Sequence, residues 1–469
     1  MSTETSEIPV AAPPEVVQDR WRDLFSGRRL AVSAVLAGGV GLYAMNLFIA
    51  AALMPSIVQD LGGSAYYAWA ATGFLLAAVI SSMLVSRILG AWGAAASYAV
   101  GFLVFAAGAV LSALAPTMGL FIAGRVIQGL GGGLLAGLGY AVIRTALPPA
   151  LWTRAAGLVS AMWGVGTLVG PSVGGLFAEL HAWPWAFAAL AAVAVVLAIV
   201  STRVLPGPDR SADARMSVPY ASLVLLTLAA AAFSMSSVVP AGPAVGAALG
   251  LGAVLLVVFL VVDARSASGV LPKLTYQRRN PLKWVYLTVA LICAGVMTEN
   301  FIPLFGQELA SLSPLMAGFL GAALSIGWVG AQLFSVSLPD RTVGAVLRCA
   351  PLLLTGGLVL FGVLLRDGAD IGRVIGWALA LLVAGAGIGL AFPHLGVAAM
   401  RSSADAAVGA QAAAALSTTQ LIANTIASAL GGTFVSFGAS ALGSAQWMVF
   451  GLAALTAVAI LTAQGVRRR

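Results

Sequence analysis

Residues 166 to 175 form an uncharged glycine-rich stretch, which reads Gly166, Thr167, Leu168, Val169, Gly170, Pro171, Ser172, Val173, Gly174, Gly175. Glycines at 166, 170 and 174 recur every four residues, so they share one face of a helix, where a neighbouring backbone can approach closely. Pro171 removes a backbone donor and bends the helix. The stretch predicts a kinked helix packed in a membrane, although close packing of two helices alone also explains the glycines.

The composition around this stretch is that of a polytopic membrane protein. Of 469 residues, 60% are hydrophobic and 9% are charged, and the mean hydropathy is +1.01. Soluble domains are far more charged. A membrane-spanning helix needs about 20 apolar residues, and long uncharged runs supply them at residues 155–178, 216–262, 374–400 and 406–466. We therefore expect an all-α membrane fold.

The uncharged runs divide into fourteen predicted transmembrane helices. The run from 216 to 262 is split by Pro240 and Pro243, which end one helix and start the next. The predicted spans lie near residues 31–54, 66–88, 90–114, 118–143, 153–178, 184–204, 219–239, 244–262, 284–305, 315–338, 346–365, 373–397, 408–436 and 446–466.

The distribution of basic residues supports this count independently, because Lys and Arg gather in cytoplasmic loops. Alternate predicted loops hold all 24 Lys and Arg residues except Arg125, Arg366 and Arg373. Both termini are therefore predicted to be cytoplasmic, in a cell membrane. The net charge of +8 then reflects orientation in the membrane, and nucleic acid is not an expected partner.

The predicted spans fall into two halves of similar length. We predict a cytoplasmic tail at 1–29, a six-helix bundle at 30–205, a linker with two extra helices at 206–283, a second six-helix bundle at 284–466 and a cytoplasmic end at 467–469. A weak internal echo supports a duplication, because Asn46 to Ile49 resembles Glu299 to Ile302. Repeat-built membrane proteins of this kind are typically carriers with a central site.

Several local motifs resemble the fourteen-span drug:proton antiporter branch of the major facilitator superfamily. The resemblance rests on the glycine–proline pattern of residues 166–175, on Arg125 with Gln128 and Gly129, and on the Trp183-Pro184-Trp185 entry into the sixth span. It implies two six-helix bundles with two linker helices between them. It also implies that the antiporter motif comprises Gly166, Gly170, Pro171, Gly174 and Gly175.

Two positions depart from the pattern of this family. The loop after the second span normally resembles G-x-L-x-D-R-x-G-R, but here it ends Ser86-Arg87 without the aspartate, whereas the equivalent loop of the second half keeps Asp340 and Arg341. We predict that Arg87, Asp340 and Arg341 form a cytoplasmic gate. Asn46 occupies a position where the family often carries an aspartate, and asparagine cannot carry a proton.

Two charges lie clearly within predicted spans, and such charges usually face a cavity or a partner. Arg125 and Glu299 lie at similar depths in two helices that resemble cavity-lining members of the family. We expect them to face each other, with Glu299 exchanging a proton in place of the missing acid at 46. A fixed structural pair is the alternative. The further predicted cavity residues are Asn46, Gln128, Asn300, Phe48 and Phe301.

These features predict a secondary active transporter rather than an enzyme, because no nucleotide-binding motif or soluble catalytic domain interrupts the chain. We expect a monomer that exports lipophilic or cationic small molecules in exchange for protons, and that uses no cofactor and no metal. An uncoupled facilitator or lipid exporter that has lost the acid of the first helix is the first alternative. A membrane sensor without transport activity is the second.

Overall fold

The structure, a computed structural model, describes residues 21–148, 151–207, 219–239, 242–266, 269–335, 338–403 and 405–466. Within these ranges the chain is helical and contains no strand, which confirms the all-α class. The helices are α1 (Trp21–Leu24), α2 (Gly27–Leu61), α3 (Tyr67–Met83), α4 (Val85–Ala113), α5 (Met118–Ala141), α6 (Ile143–Ala146), α7 (Trp152–Glu179), α8 (Trp183–Val204), α9 (Tyr220–Met235), α10 (Pro243–Arg265), α11 (Leu282–Val296), α12 (Ile302–Ala310), α13 (Pro314–Ser335), α14 (Asp340–Leu364), α15 (Ile371–Met400), α16 (Ala406–Ser436) and α17 (Ala441–Gly465).

Twelve helices in the described part of the chain are long and apolar enough to cross a membrane. The expected count of fourteen is therefore not confirmed. Helix α9 falls short because its 16 residues span about 24 Å, less than the hydrocarbon core of about 30 Å. Helix α16 has 31 residues but is not among the twelve, because small and polar residues dilute its hydropathy.

The first bundle consists of α2, α3, α4, α5, α7 and α8, which pack on one another. Glycines of α5 allow close backbone contact, since a Cβ on Gly131 or Gly124 would collide with the backbone of α4. Edge-to-face contacts among Phe121, Trp183 and Phe187 join α5 to α8. Van der Waals packing of small residues is the expected source of stability between helices surrounded by lipid.

The second bundle consists of α11 to α17, with the strongest packing between α13 and α15 and between α14 and α15. The sequence predicts one helix at 284–305, but the structure divides it. Helix α11 ends at Val296, a 3₁₀ turn follows at Met297–Asn300, and α12 begins at Ile302, just before Pro303. Proline cannot donate the hydrogen bond that a continuous α-helix needs there.

The two bundles meet along two seams, α7 against α13 and α3 against α16. On both seams, close contacts such as Gly175 with Leu315 and Gly432 with Ala68 lie at the end of the molecule where α2 and α7 finish and α3 and α13 begin, which we call the distal end. There, Tyr67 stacks on Phe301 with ring centroids 5.3 Å apart, and the Tyr67 hydroxyl donates to the Asn300 carbonyl over 3.1 Å.

Helices α9 and α10 form a hairpin beside the α3–α16 seam, and α9 contacts both of those helices. The Trp69 indole donates to the Ser234 carbonyl over 3.0 Å, and the Ser236 hydroxyl lies 2.5 Å from that of Thr433. The hairpin therefore contacts one bundle through Trp69 and the other through Thr433.

The stretch predicted as a loop after the second span is helical in the structure. Helix α3 ends at Met83 and α4 begins at Val85, with a break inside α4 at Gly93, whose φ is 76°. Glycine permits this left-handed backbone at little cost. The predicted span at 66–88 therefore ends a few residues too late, and the predicted span at 90–114 begins a few residues too late.

Candidate functional site: two buried charges between two helix bundles

The antiporter motif forms the seam between α7 and α2. A Cβ on Gly166 would lie 2.7 Å from the Ala44 Cβ, and one on Gly174 would lie 2.9 Å from the Ala52 Cβ. A Cβ on Gly170 would collide with the Cβ of Phe48. The repeat of four residues therefore serves close packing inside the first bundle.

A second face of α7 meets the other bundle. A Cβ on Gly175 would lie 2.5 Å from the Leu315 Cα at the start of α13, and one on Gly318 would lie 3.1 Å from the Pro171 carbonyl oxygen. The Gly-Pro and Gly-Gly elements of the motif thus place α7 against α13. This face therefore forms part of the contact between the two bundles.

Arg125 is 1% exposed and is bound by neutral oxygens of its own bundle. Its Nη1 donates to Asn46 Oδ1 over 2.8 Å and to Gln128 Oε1 over 2.5 Å, and its Nε donates to the Ala70 carbonyl over 3.4 Å. The guanidinium carbon lies 4.4 Å from the centroid of the Phe74 ring, a cation–π distance. Helices α2, α3 and α5 therefore converge on this one cation.

Glu299 is 6% exposed and lies in the 3₁₀ turn between α11 and α12. Its Oε2 accepts a hydrogen bond from the Ser325 hydroxyl of α13 over 2.7 Å. Its Oε1 is buried and has no hydrogen-bond partner among the described residues. This carboxyl is thus only half satisfied in the structure.

The two charges do not form the direct pair that the sequence suggests. Within the described residues, the polar contacts of Arg125 lie on α2, α3 and α5, whereas the contact of Glu299 lies on α13. Similar depth along two helices does not fix rotation about the helix axes. That rotation aims Arg125 at Asn46 and Glu299 at Ser325.

A small pocket lies between the bundles, beside the contact of Tyr67 with Phe301, and Arg125 lines it. It is lined by Leu47, Ala50, Ala51, Met54, Tyr67, Ala68, Ala70, Ala71, Arg125, Asn300, Phe301 and Ser428. The walls are mostly apolar, a few polar groups converge on them, and the cavity of about 20 Å³ has room for roughly one water molecule. Of the predicted cavity residues, Asn300 and Phe301 line this pocket.

The other predicted cavity residues lie elsewhere. Asn46 and Gln128 stand behind the pocket as partners of Arg125. Phe48 packs against the α7 glycine face at Gly170, so its place in the structure is the seam between α2 and α7. Glu299 is not among the described residues that line the pocket.

The predicted gate residues lie on two helices, α4 and α14. Arg87 donates a hydrogen bond from Nη1 to the Tyr220 hydroxyl at the start of α9, so it contacts the linker hairpin. Arg341 is exposed at the start of α14. The side chain of Asp340 lies outside the described residues.

Four polar residues in or beside the site are absent from the sequence-based prediction: Tyr67, Ser325, Ser428 and Tyr43, whose ring centroid lies 5.5 Å from that of Phe74. Burial without a hydrogen-bond partner marks the hydroxyls of Tyr43 and Ser428, and burial is a property of the folded chain. Single serines and tyrosines in apolar helices are common, and none of these belongs to a motif. For Ser325, spacing along the sequence offers no signal, because its partner is 26 residues away.

Comparison with known proteins agrees with this architecture. The family model described as Major Facilitator Superfamily matches residues 36–432. A protein of Mycobacterium tuberculosis named "Probable multidrug-efflux transporter" is 45% identical over 423 residues, which cover 89% of each chain. A "Multidrug efflux pump" of Staphylococcus aureus is 26% identical over 59% of this chain and 62% of its own.

Solved structures resemble the fold as a whole. The crystal structure of a nucleoside transporter matches with a TM-score of 0.66 at 13% identity, covering 95% of this chain and all of the other. The inward-open xylose transporter of E. coli matches with a TM-score of 0.61 at 14% identity, covering 92% of this chain and 94% of the other. The chain is therefore a multi-pass membrane transporter, not an enzyme, and it belongs to the Major Facilitator Superfamily.

Proposed function

We propose that this protein exports lipophilic small molecules in exchange for protons, by alternating access of a central pocket to the two sides of the membrane. The relative named as a multidrug-efflux transporter supports the substrate class. The observation that carries proton coupling is Glu299, a buried carboxyl with one unpartnered oxygen at a break in its helix. The expectation of cationic substrates has less support, because Arg125 and not Glu299 lines the described pocket.

Glu299 fits a proton carrier because both of its protonation states have a place in the site. As a carboxylate it accepts the hydrogen bond of Ser325. As an acid it carries its proton on an oxygen, and Oε1 has no hydrogen-bond partner among the described residues. A charge held within the membrane is costly, so protonation favours movement of the loaded bundle and deprotonation accompanies opening to water.

The coupling hypothesis is tested by Glu299→Gln in proteoliposomes, which keeps the shape of the side chain but removes its titration. We expect export-driven proton movement, followed with a pH-sensitive dye, to be lost, while exchange of labelled solute between the two sides continues. Glu179→Gln, at the exposed end of α7, is the matched control and should behave as wild type. Proton movement that is unchanged in Glu299→Gln would rule the hypothesis out.

An uncoupled facilitator is the second candidate, and Asn46 favours it. Oδ1 of this neutral amide accepts a hydrogen bond from Arg125. Proteins that the sequence resembles often carry an aspartate at this position, and that aspartate could bind a proton. The same proteoliposomes distinguish the candidates, because an uncoupled carrier moves solute at a rate that an imposed pH gradient does not change. The remaining alternative, a sensor without transport, predicts no solute flux in either condition.

We further propose that α9 and α16 also cross the membrane, which gives fourteen spans in a monomer of the cell membrane. The two bundles would then comprise residues 30–205 and 284–466, with the linker at 206–283 and both terminal segments, 1–29 and 467–469, in the cytoplasm. The packing of α16 between α3, α11 and α17 supports its crossing, because a core helix needs less apolar surface. Single cysteines at Ser64, Arg366 and Ala439, in a background with Cys349→Ser, should react with an impermeant maleimide from outside the cell. No labelling at Arg366 would contradict crossing by α9, and labelling at Arg366 without labelling at Ala439 would contradict crossing by α16.

A further inference from the structure

The pocket between the bundles has an uneven distribution of polar groups. Its polar side chains are Arg125 and Tyr67 from the first bundle and Asn300 and Ser428 from the second, and no carboxylate is among the described residues that line it. The remaining walls are apolar. The formal charge facing this pocket is therefore positive.

Arg125 keeps one donor free for a ligand. Its Nε and Nη1 are occupied by protein oxygens, whereas Nη2 makes none of the hydrogen bonds found among the described residues. Because the side chain lines the pocket, the free end of the guanidinium is the part available there. A guanidinium N–H donates charge-assisted hydrogen bonds to carboxylates and similar anions.

The two amides that hold Arg125 leave its charge uncompensated. Both turn their oxygens towards Nη1, so their nitrogens point away, and these nitrogens are buried without partners. A primary amide has two donors on nitrogen and an acceptor oxygen. The cluster of Arg125, Asn46 and Gln128 thus adds donors around the cation and supplies no negative charge.

Ser428 supplies a second polar group from the opposite bundle. It lies on α16, it lines the same pocket, and its hydroxyl is buried without a hydrogen-bond partner among the described residues. A hydroxyl can donate to an anionic oxygen. The pocket therefore offers unused donors from both bundles beside an apolar wall that includes Leu47, Met54 and Phe301.

We propose that this pocket, widened by separation of the bundles, binds the anionic group of a lipophilic solute, with a carboxylate or sulfonate bridging Arg125 Nη2 and the Ser428 hydroxyl and an apolar body against Met54 and Phe301. The inference rests on the proposed function and narrows its substrate class to lipophilic anions. A bridging group would connect α5 to α16, so bound solute would hold the bundles together at the level of Arg125.

The test is equilibrium binding of naphthalene-1-acetate and of its primary amide, a neutral analogue of the same shape, to the purified full-length protein. We expect wild type to bind the carboxylate about ten-fold or more tightly than the amide, as a charge-assisted hydrogen bond gives. Arg125→Gln should bring the two affinities together by weakening only the carboxylate. Ser428→Ala should weaken the carboxylate by about two- to ten-fold, the range for a neutral donor.

Two matched controls separate the pocket from general effects of charge or helix change. Ser417→Ala alters an exposed serine of the same helix, and Arg366→Gln removes an exposed arginine between α14 and α15. Both should keep the wild-type preference. If Arg125→Gln does not fold, as judged by size-exclusion chromatography, the wild-type preference and the effect of Ser428→Ala still decide the question.

Equal affinity of wild type for the acid and the amide would overturn the inference, as would a preference that persists in folded Arg125→Gln. Failure of the proposed function gives a different result. Proteoliposomes that export neither probe, while the purified protein still prefers the acid, would reject export and retain the anion site. Export of neutral solutes driven by protons, without any preference for the acid, would reject the anion site alone.

Discussion

Helix α7 presents two faces that look alike in sequence and differ in what they contact. Gly166, Gly170 and Gly174 lie against α2 of the same bundle, whereas Gly175 lies against Leu315 of the other bundle. Both faces bring backbones into near contact. The first joins two helices of one bundle, and the second joins helices of different bundles, which separate at the distal end in the proposed transport cycle.

This difference shows why one short motif can affect both folding and transport. Small residues stabilise membrane helix pairs by letting backbones approach. A methyl added on the face of α7 towards α2, which we call the fixed face, therefore weakens the bundle itself. A methyl added at Gly175, on the face towards α13 that we call the mobile face, collides with the other bundle, and separation of the bundles would remove that collision. The two substitutions should therefore change different measured quantities.

The largest effect is expected on the fixed face. In Gly170→Ala the new Cβ collides with the Phe48 Cβ and lies 3.3 Å from the Met45 carbonyl oxygen, and these atoms cannot move without separating α7 from α2. Overpacking of this kind costs about 1–3 kcal/mol. Thermal unfolding in detergent should show a lower melting temperature, and the distance between the bundles should stay as in wild type.

A smaller loss of stability and a larger change of conformation are expected for Gly175→Ala. The new Cβ lies 2.5 Å from the Leu315 Cα, so the closed distal end is disfavoured relative to the open one. Spin labels at Leu180 and Met316, in a background with Cys349→Ser, should lie farther apart than in the wild-type background, as measured by double electron–electron resonance. Solute export should fall several-fold because the carrier spends less time closed at this end.

Gly164→Ala is the matched control on the same helix, because nothing lies within 4 Å of the position of its Cβ. It carries the same gain in helix propensity, up to about 1 kcal/mol, without any collision. The comparison between the two faces fails if Gly170→Ala lengthens the spin-label distances as Gly175→Ala does. It also fails if Gly175→Ala lowers the melting temperature more than Gly170→Ala.

Helix positions followed closely from the sequence, because apolar runs of the length of a membrane leave few choices. The predicted span at 153–178 corresponds to Trp152–Glu179, and the one at 118–143 corresponds to Met118–Ala141. The break at Met297–Asn300 was missed, because the sequence-based prediction placed Glu299 and Asn300 inside one continuous span at 284–305. The count of fourteen stays a prediction because α9 is short and α16 is diluted by polar residues.

The candidate site was predictable only in part. A charge within an apolar run is visible in the sequence, so Arg125 and Glu299 stood out, but their partners are not local. Asn46 lies 79 residues from Arg125, and Ser325 lies on a different helix from Glu299. Which side chains meet depends on how far each helix is rotated in its bundle, and hydropathy carries little information about that rotation.

The sequence by itself determined that this chain crosses a membrane many times, where its helices lie and that two charges are held among them, because the free energy of transfer into lipid depends on composition and length. Only the tertiary structure decided that Gly174 faces one bundle and Gly175 the other, and that Arg125 presents a free donor to a pocket shared with Ser428. Neighbouring residues on a helix point about 100° apart, so their partners are set by the packing of whole helices.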